Sequence, residues 1–248
     1  MHASGYPALV VTAIFVLAGA VKGVAGMGLP TVAMGLLGLI MPPARAAALI
    51  VIPSLVTNLW QLGGSRSLLP LMRCLGSMLL LICASTWASA GLMTAPDAGG
   101  TTVALGAALV AYAGIALTNV RISVTGKHQL WLSPVIGAAT GIVTGATGVL
   151  VIPAVPYLEA LGLEKDQLVQ ALALSFTVST LALTAGLAVR GAFQLAAAGS
   201  SALLVLPALL GMGAGQALRA RLSPAVFRRL FLVALLALGA DLVMRVWV

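Results

Sequence analysis

The stretch Ala18-Gly-Ala-Val-Lys-Gly-Val-Ala-Gly-Met-Gly-Leu-Pro30 places one lysine among four glycines, inside an apolar run from about Pro7 to Met41. A membrane crossing takes roughly 20 apolar residues, so this run is too long for one simple span. Gly23, Gly26, Gly28 and Pro30 interrupt it. Glycine reaches backbone angles that other residues avoid, and proline removes a helical N–H. The run reads as a helix that enters a membrane, breaks and turns back.

The rest of the chain fits the same solvent. Of 248 residues, 61% are hydrophobic and 7% charged, against about a quarter charged in a soluble domain. Such a chain cannot cover a globular surface, and its length holds about eight apolar segments with little left for an extramembrane domain. The formal charge of +8 sits largely in short loops, as membrane topology requires, with no basic stripe interleaved with aromatics. Nucleic acid is therefore not an expected partner; the lipid bilayer is. Cys74 and Cys83 lie in an apolar run without metal-ligand spacing and read as small apolar residues. Met1–Pro7 has no charged n-region, so the first apolar segment is expected to stay in the mature protein.

The segments run from about Pro7 to Met41, Arg45 to Gly63, Leu68 to Met93, Thr101 to Val120, Leu130 to Leu161, Gln167 to Val189, Phe193 to Leu218 and Val226 to Val248. The fifth, like the first, is long and broken, at Gly145, Gly148, Pro153 and Pro156. A shift of 122 residues lays Gly19, Gly23 and Gly26 on Gly141, Gly145 and Gly148, and Val56, Leu59 and Gly64 on Val178, Leu181 and Gly186. Residues 1–120 and 131–248 thus form two membrane repeats joined by a polar linker, 121–130. Duplicated halves with interrupted segments at matching places are a signature of secondary transporters.

Charge decides how the halves are oriented. If all eight segments cross once, Arg66, Arg73, Arg121, Lys127, Arg190 and Arg245 fall on one side, and Arg45, Lys165, Arg219, Arg221, Arg228 and Arg229 on the other. That even division violates the positive-inside rule. If the two broken segments are hairpins, Arg66, Arg73, Arg121, Lys127, Lys165, Arg219, Arg221, Arg228 and Arg229 share one side, against Arg45, Arg190 and Arg245. The expected fold is therefore an all-α polytopic membrane protein of two four-segment inverted repeats. Each repeat begins with a glycine-broken, re-entrant hairpin. Six full crossings leave both termini outside.

Lys22 is the residue most expected to carry function. A lysine within a membrane costs at least about 2.5 kcal/mol and usually faces a cavity or partner. No acid lies near it in sequence, so it suits an anion; the competing reading is a lysine that snorkels to the interface. Gly23, Gly26 and Gly28, with Gly145 and Gly148, would let broken helices present backbone N–H groups to that anion; the competing reading is close helix packing. Thr144, at the repeat position of Lys22, and Thr147 add hydroxyls. Asn58 and Gln61 in Pro53-Ser-Leu-Val-Thr-Asn-Leu-Trp-Gln61, and Ser175 in Ser175-Phe-Thr-Val-Ser-Thr180, are polar groups that should face protein or a cavity rather than lipid. Ser175 and Ser179 share a helical face.

Asp97, Glu159, Glu164, Asp166 and Asp241 are the only acids in the sequence. The middle three read as a solvated loop with Lys165, and Asp241 as a helix-face partner of Arg245. His2 and His128 read as solvated. No nucleophile set, metal-ligand cluster or phosphate loop stands out, so neither an enzyme nor a cofactor is expected.

Lys22-Gly-Val-Ala-Gly-Met-Gly28, Pro53–Gln61, Gly141-Ile-Val-Thr-Gly-Ala-Thr-Gly148, Pro156-Tyr-Leu-Glu-Ala-Leu-Gly-Leu163 and Gln170-Ala-Leu-Ala-Leu-Ser-Phe-Thr-Val-Ser-Thr180 together resemble the TauE/SafE sulfite exporter family across nearly the whole chain. The resemblance implies a secondary transporter of a small sulfur-containing or organic anion, such as sulfite or a sulfonate, in a bacterial inner membrane. Coupling to a proton or sodium ion is compatible with it, though no acid marks the site, and so is a homo-oligomer. An anion channel and a non-transporting membrane assembly partner are the alternatives.

Overall fold

The computed structural model describes residues 8–63, 68–94, 98–118, 123–124, 127–192, 195–219, 221 and 223–245. His2, Arg66, Asp97 and Arg121 lie outside them. Among the described residues every regular element is an α-helix: α1 (Ala8–Ala25), α2 (Leu29–Gly38), α3 (Pro43–Leu62), α4 (Leu68–Cys74), α5 (Gly76–Met93), α6 (Ala98–Leu117), α7 (Lys127–Thr147), α8 (Ala154–Ala160), α9 (Lys165–Val189), α10 (Leu195–Leu203), α11 (Val205–Arg219) and α12 (Pro224–Met244). Helices α1, α3, α5, α6, α7 and α9, and the stretch Gly199–Arg219, are each long and apolar enough to cross a membrane. Large apolar side chains such as Leu9, Leu130, Leu203, Leu206 and Leu230 stand exposed on the outside of the bundle. An exposed apolar coat of that extent belongs against lipid, and the chain is a polytopic α-helical membrane protein.

The two long segments break at Gly26 and Gly148, whereas Gly23 and Gly145, also expected as breaks, lie inside α1 and α7. α1 ends at Gly26, whose N–H bonds to the Lys22 carbonyl at 2.8 Å, and α7 ends at Gly148, whose N–H bonds to the Thr144 carbonyl at 2.7 Å. Both glycines have positive φ, 79° and 73°, the left-handed geometry that closes a helix without a Cβ penalty. The second arms are short: α2 has 10 residues and α8 has 7. The two broken segments are thus unequal-armed, each with a first helix long and apolar enough to cross a membrane. Ser133 of α7 and Tyr157 of α8 share a 2.5 Å hydrogen bond that pins the arms of the second hairpin together. Two further breaks escape the hydropathy reading. The third segment splits into α4 and α5 at Leu75, and the seventh into α10 and α11 at Leu204, because one non-helical residue leaves the apolar run intact.

Helix pairing crosses between the halves. α1 packs along α11, and α5 along α7, in the two most extensive contacts. A Cβ on Gly19 would strike the Ala208 carbonyl and approach the Met212 N–H, and one on Gly23 would meet the Met212 carbonyl and the Gln216 N–H. In the other half, Gly141 would meet the Ile82 carbonyl and the Thr86 N–H, and Gly145 the Thr86 carbonyl and the Ala90 N–H. Each glycine therefore admits a neighbouring backbone that any side chain would exclude. Contacts advance together along both chains, so α1 runs parallel to α11 and α7 to α5. The α6–α12 pair is opposite: Gly106 lies against Gly239 and Val243, while Gly239 lies against Gly106 and Val110, an antiparallel crossing. α3 packs on α9 at the centre.

A proline in α3 prepares the middle of the bundle. Pro53 lies within that helix and cannot donate to the Leu49 carbonyl. Ser201 of α10 donates to that carbonyl at 2.7 Å and accepts the Ile52 N–H at 3.2 Å. In an apolar bundle such freed groups must find internal partners.

Candidate functional site

Lys22 lies in the last turn of α1 and is 1% exposed. Its ammonium donates to the Thr57 hydroxyl at 3.0 Å and to Asn58 Oδ1. It does not snorkel; the side chain turns inward to α3. Two neutral oxygens satisfy two of its three protons but do not cancel its charge. Among the described residues, the ion pairs are Arg228 with Glu159 and Arg245 with Asp241, and neither involves Lys22. The negative end of the α1 dipole gives partial relief.

The lysine belongs to a chain of polar groups joining three helices. Thr57 also donates to the Pro53 carbonyl at 2.7 Å, anchoring its side chain on its own helix. Asn58 Nδ2 donates to Ser54 Oγ at 3.5 Å, and Ser54 shares a 3.4 Å contact with the Thr180 hydroxyl of α9. Lys22, Ser54, Thr57, Asn58 and Thr180 are all buried. The chain thus runs from α1 through α3 to α9, from one half of the molecule into the other. Gln61, a turn beyond Asn58, donates to the Gly26 carbonyl at 2.6 Å and ties α3 to the break itself.

The structure brings Lys22 and Asn58 together and sets Gln61 and Gly26 beside them. Gly28, with φ 103°, precedes α2, and Phe231 lies 3.5 Å from where its Cβ would stand. Gly23 and Gly145 turn instead toward the backbones of α11 and α5, the packing alternative. Thr144 donates to the Val149 carbonyl at 3.3 Å, while Thr147 accepts the Val149 N–H at 3.1 Å; both close their own break. Gly148 lies against Met34 of α2, whose Cε would be 2.7 Å from an added Cβ. Ser175 donates to the Ala171 carbonyl one turn back at 2.8 Å. Ser54, Thr57 and Thr180 were not singled out by the sequence reading. The 122-residue shift carries Thr57-Asn58 onto Ser179-Thr180, and that register was the available signal. Thr31, in the first turn of α2, is also new: its hydroxyl is buried with no hydrogen-bond partner among the described residues.

The acids divide differently from the expectation of one solvated loop. Glu159 lies in α8 and meets Arg228 of α12 at 3.4 Å. Asp241 pairs with Arg245 one turn on, at 2.7 Å. Cys74 and Cys83 are free thiols on the exposed surface. Among the described residues, no three His, Cys, Asp or Glu side chains gather where they could hold a metal.

A helical membrane bundle with broken helices, and at one break a buried lysine with no carboxylate partner among the described residues, is the architecture of a polytopic transporter rather than of a soluble enzyme. The particular family follows from the sequence: residues 11–242 match the sulfite exporter TauE/SafE family, and the chain belongs to it. No curated protein matches the chain, and no solved structure does.

Proposed function

We propose that the protein is a secondary transporter that moves a small sulfur-containing or organic anion across a bacterial inner membrane by alternating access. The observation that carries this reading is Lys22: buried, held by Thr57 and Asn58, and without a carboxylate partner among the described residues. An oxyanion beside the ammonium would supply the missing charge through a charge-assisted hydrogen bond. Thr31, whose buried hydroxyl has no partner among the described residues, and the first N–H groups of α2 follow the break in the chain. Asn58 and Gln61 orient the site; Thr144, Thr147, Gly148 and Ser175 shape the corresponding region of the second half.

Alternating access needs two halves that exchange roles, and the packing supports such a relation. Numbering each half from its hairpin makes α1 the counterpart of α7, α5 of α11 and α6 of α12. The α1–α11 and α7–α5 contacts then exchange under one twofold operation, with Gly19 and Gly23 meeting their partners as Gly141 and Gly145 do. α6 and α12 cross antiparallel, as counterparts in an inverted repeat should. Residues 1–120 and 131–248 would be those repeats, with both termini on the periplasmic face.

Reconstituted protein tests the reading. Vesicles preloaded with unlabelled sulfite or a short sulfonate should show saturable counterflow of the labelled anion, and Lys22→Gln should abolish it while the protein stays folded. Non-saturating flux without counterflow would mean a channel. Counterflow unchanged by Lys22→Gln would remove the lysine from the mechanism.

A further inference from the structure

A cavity of about 200 Å³ opens beside the first helix break, lined by Val24 and Ala25 at the end of α1 and by Met27 in the break itself. Its other walls come from α6, α8, α9, α11 and α12. Three cations border it: Lys165 at the start of α9, Arg219 in the last turn of α11 and Arg228 of α12. Glu159 is its one carboxylate, paired with Arg228. Apart from the Tyr112 phenol of α6, the remaining side chains are apolar, residues such as Leu168, Leu172, Phe227 and Phe231. Against one negative charge the three positive charges leave a net excess, in a partly enclosed space where fields are weakly screened.

We propose that this cavity is a receiving site, distinct from the Lys22 site, for a small organic oxyanion with a short apolar body: an alkyl sulfonate or carboxylate rather than a bare inorganic anion. The cations would take the anionic head, Arg219 and Arg228 offering the planar donor forks that suit two-oxygen contacts. The apolar wall would take the alkyl chain, which an inorganic anion lacks. The volume lies below the usual range for drug-sized ligands, so the guest is a molecule of few heavy atoms. The same head-and-tail chemistry exists in an anionic lipid, but a space this small cannot enclose two acyl chains. The α1 terminus, less than a turn beyond Lys22, lines the cavity, so a bound anion would wait next to the break that carries the central lysine. This placement rests on the transporter reading above.

Calorimetric titration of the full chain in phosphatidylcholine nanodiscs, with 1-propanesulfonate and with sulfite, tests the proposal. Propanesulfonate should bind more tightly than sulfite. Arg219→Gln and Lys165→Gln should each weaken it by roughly tenfold, the scale of one charge-assisted contact, and Phe231→Ala should erase the preference over sulfite. Glu159→Gln should tighten binding several-fold by freeing Arg228 and removing a like charge, whereas a purely structural Glu159–Arg228 pair would predict weakening. Lys22→Gln should leave this binding in place while ending counterflow. No binding by the wild type, equal binding of the two anions, or affinity unmoved by Arg219→Gln and Lys165→Gln would each overturn the proposal. So would loss of binding when phosphatidylglycerol is added to the nanodisc, which would assign the cavity to a lipid headgroup. If binding follows Arg219 but counterflow survives Lys22→Gln, the cavity stands and the central lysine does not. If counterflow dies with Lys22 and binding ignores Arg219, the reverse holds.

Discussion

The two broken hairpins share a backbone plan and differ in chemistry. In each, a long helix crosses a partner from the other half on small residues, then ends at a glycine whose N–H returns to the carbonyl four residues back. At that carbonyl the first hairpin has Lys22 and the second has Thr144. Lys22 reaches out of its hairpin to Thr57 and Asn58, whereas Thr144 and Thr147 bond within their own break. Packing is therefore duplicated while charge is not. Under the proposed twofold relation the two breaks correspond, and one of them holds the group that would meet an anion.

The largest effects should fall on what the hairpins share. Gly23→Val and Gly145→Val each drive a side chain into the backbone of a neighbouring helix. Backbone cannot move aside as a flexible side chain can, so the loss should reach or exceed the ~1–3 kcal/mol typical of overpacking. Both variants should lower the yield of monodisperse protein on size-exclusion chromatography, and to a similar degree. A large drop from one and none from the other would break the equivalence of the halves. Next come the residues that differ. Lys22→Thr, which gives the first hairpin the residue of the second, should end counterflow as Lys22→Gln does, a loss of at least about 100-fold, because the site loses a charged hydrogen-bond donor. Thr144→Ser should leave counterflow within about a factor of two, because a hydroxyl remains at that break and a surplus or deficit of a few tenths of a kcal/mol changes little.

The sequence carried the plan of the backbone more fully than the wiring of the site. Glycines separated by 122 residues mark the breaks because a left-handed φ and a backbone–backbone crossing both exclude other residues, so the constraint appears as residue identity. Lys22 is legible for the same reason: no other cation stands so deep in an apolar run. The breaks at Leu75 and Leu204 left no such mark, since a single residue outside helical geometry can be any apolar one. Thr57 was hidden because threonine in a membrane helix commonly bonds its own backbone one turn back, and Thr57 does that as well as receiving Lys22. The basic cavity was out of reach for a different cause. Lys165, Arg219 and Arg228 belong to three helices, and only their packing makes a loop charge into a wall.

Smaller effects should separate the two sets of hydroxyls at the centre. Asn58→Leu keeps the branching of the native side chain at Cγ but removes the Oδ1 that Lys22 uses and the link to Ser54. The ammonium would then be left with Thr57 alone, and a buried charge that loses a partner is destabilised by about 1–3 kcal/mol. Ser179, at the repeat position of Thr57, has a buried hydroxyl with no partner among the described residues. Ser179→Ala should therefore shift the thermal midpoint slightly or upward, within the ~0.5 kcal/mol of substitutions that break no contact. Thr57→Ala should lower it, since that hydroxyl serves Lys22 and the Pro53 carbonyl together. Equal losses at Thr57 and Ser179 would mean that Ser179 has acquired a partner of its own, such as a bound anion or water, and that the second half contributes more to the site than its threonines suggest. A loss at Thr57 alone would confine the polar cost to the hairpin that carries the charge.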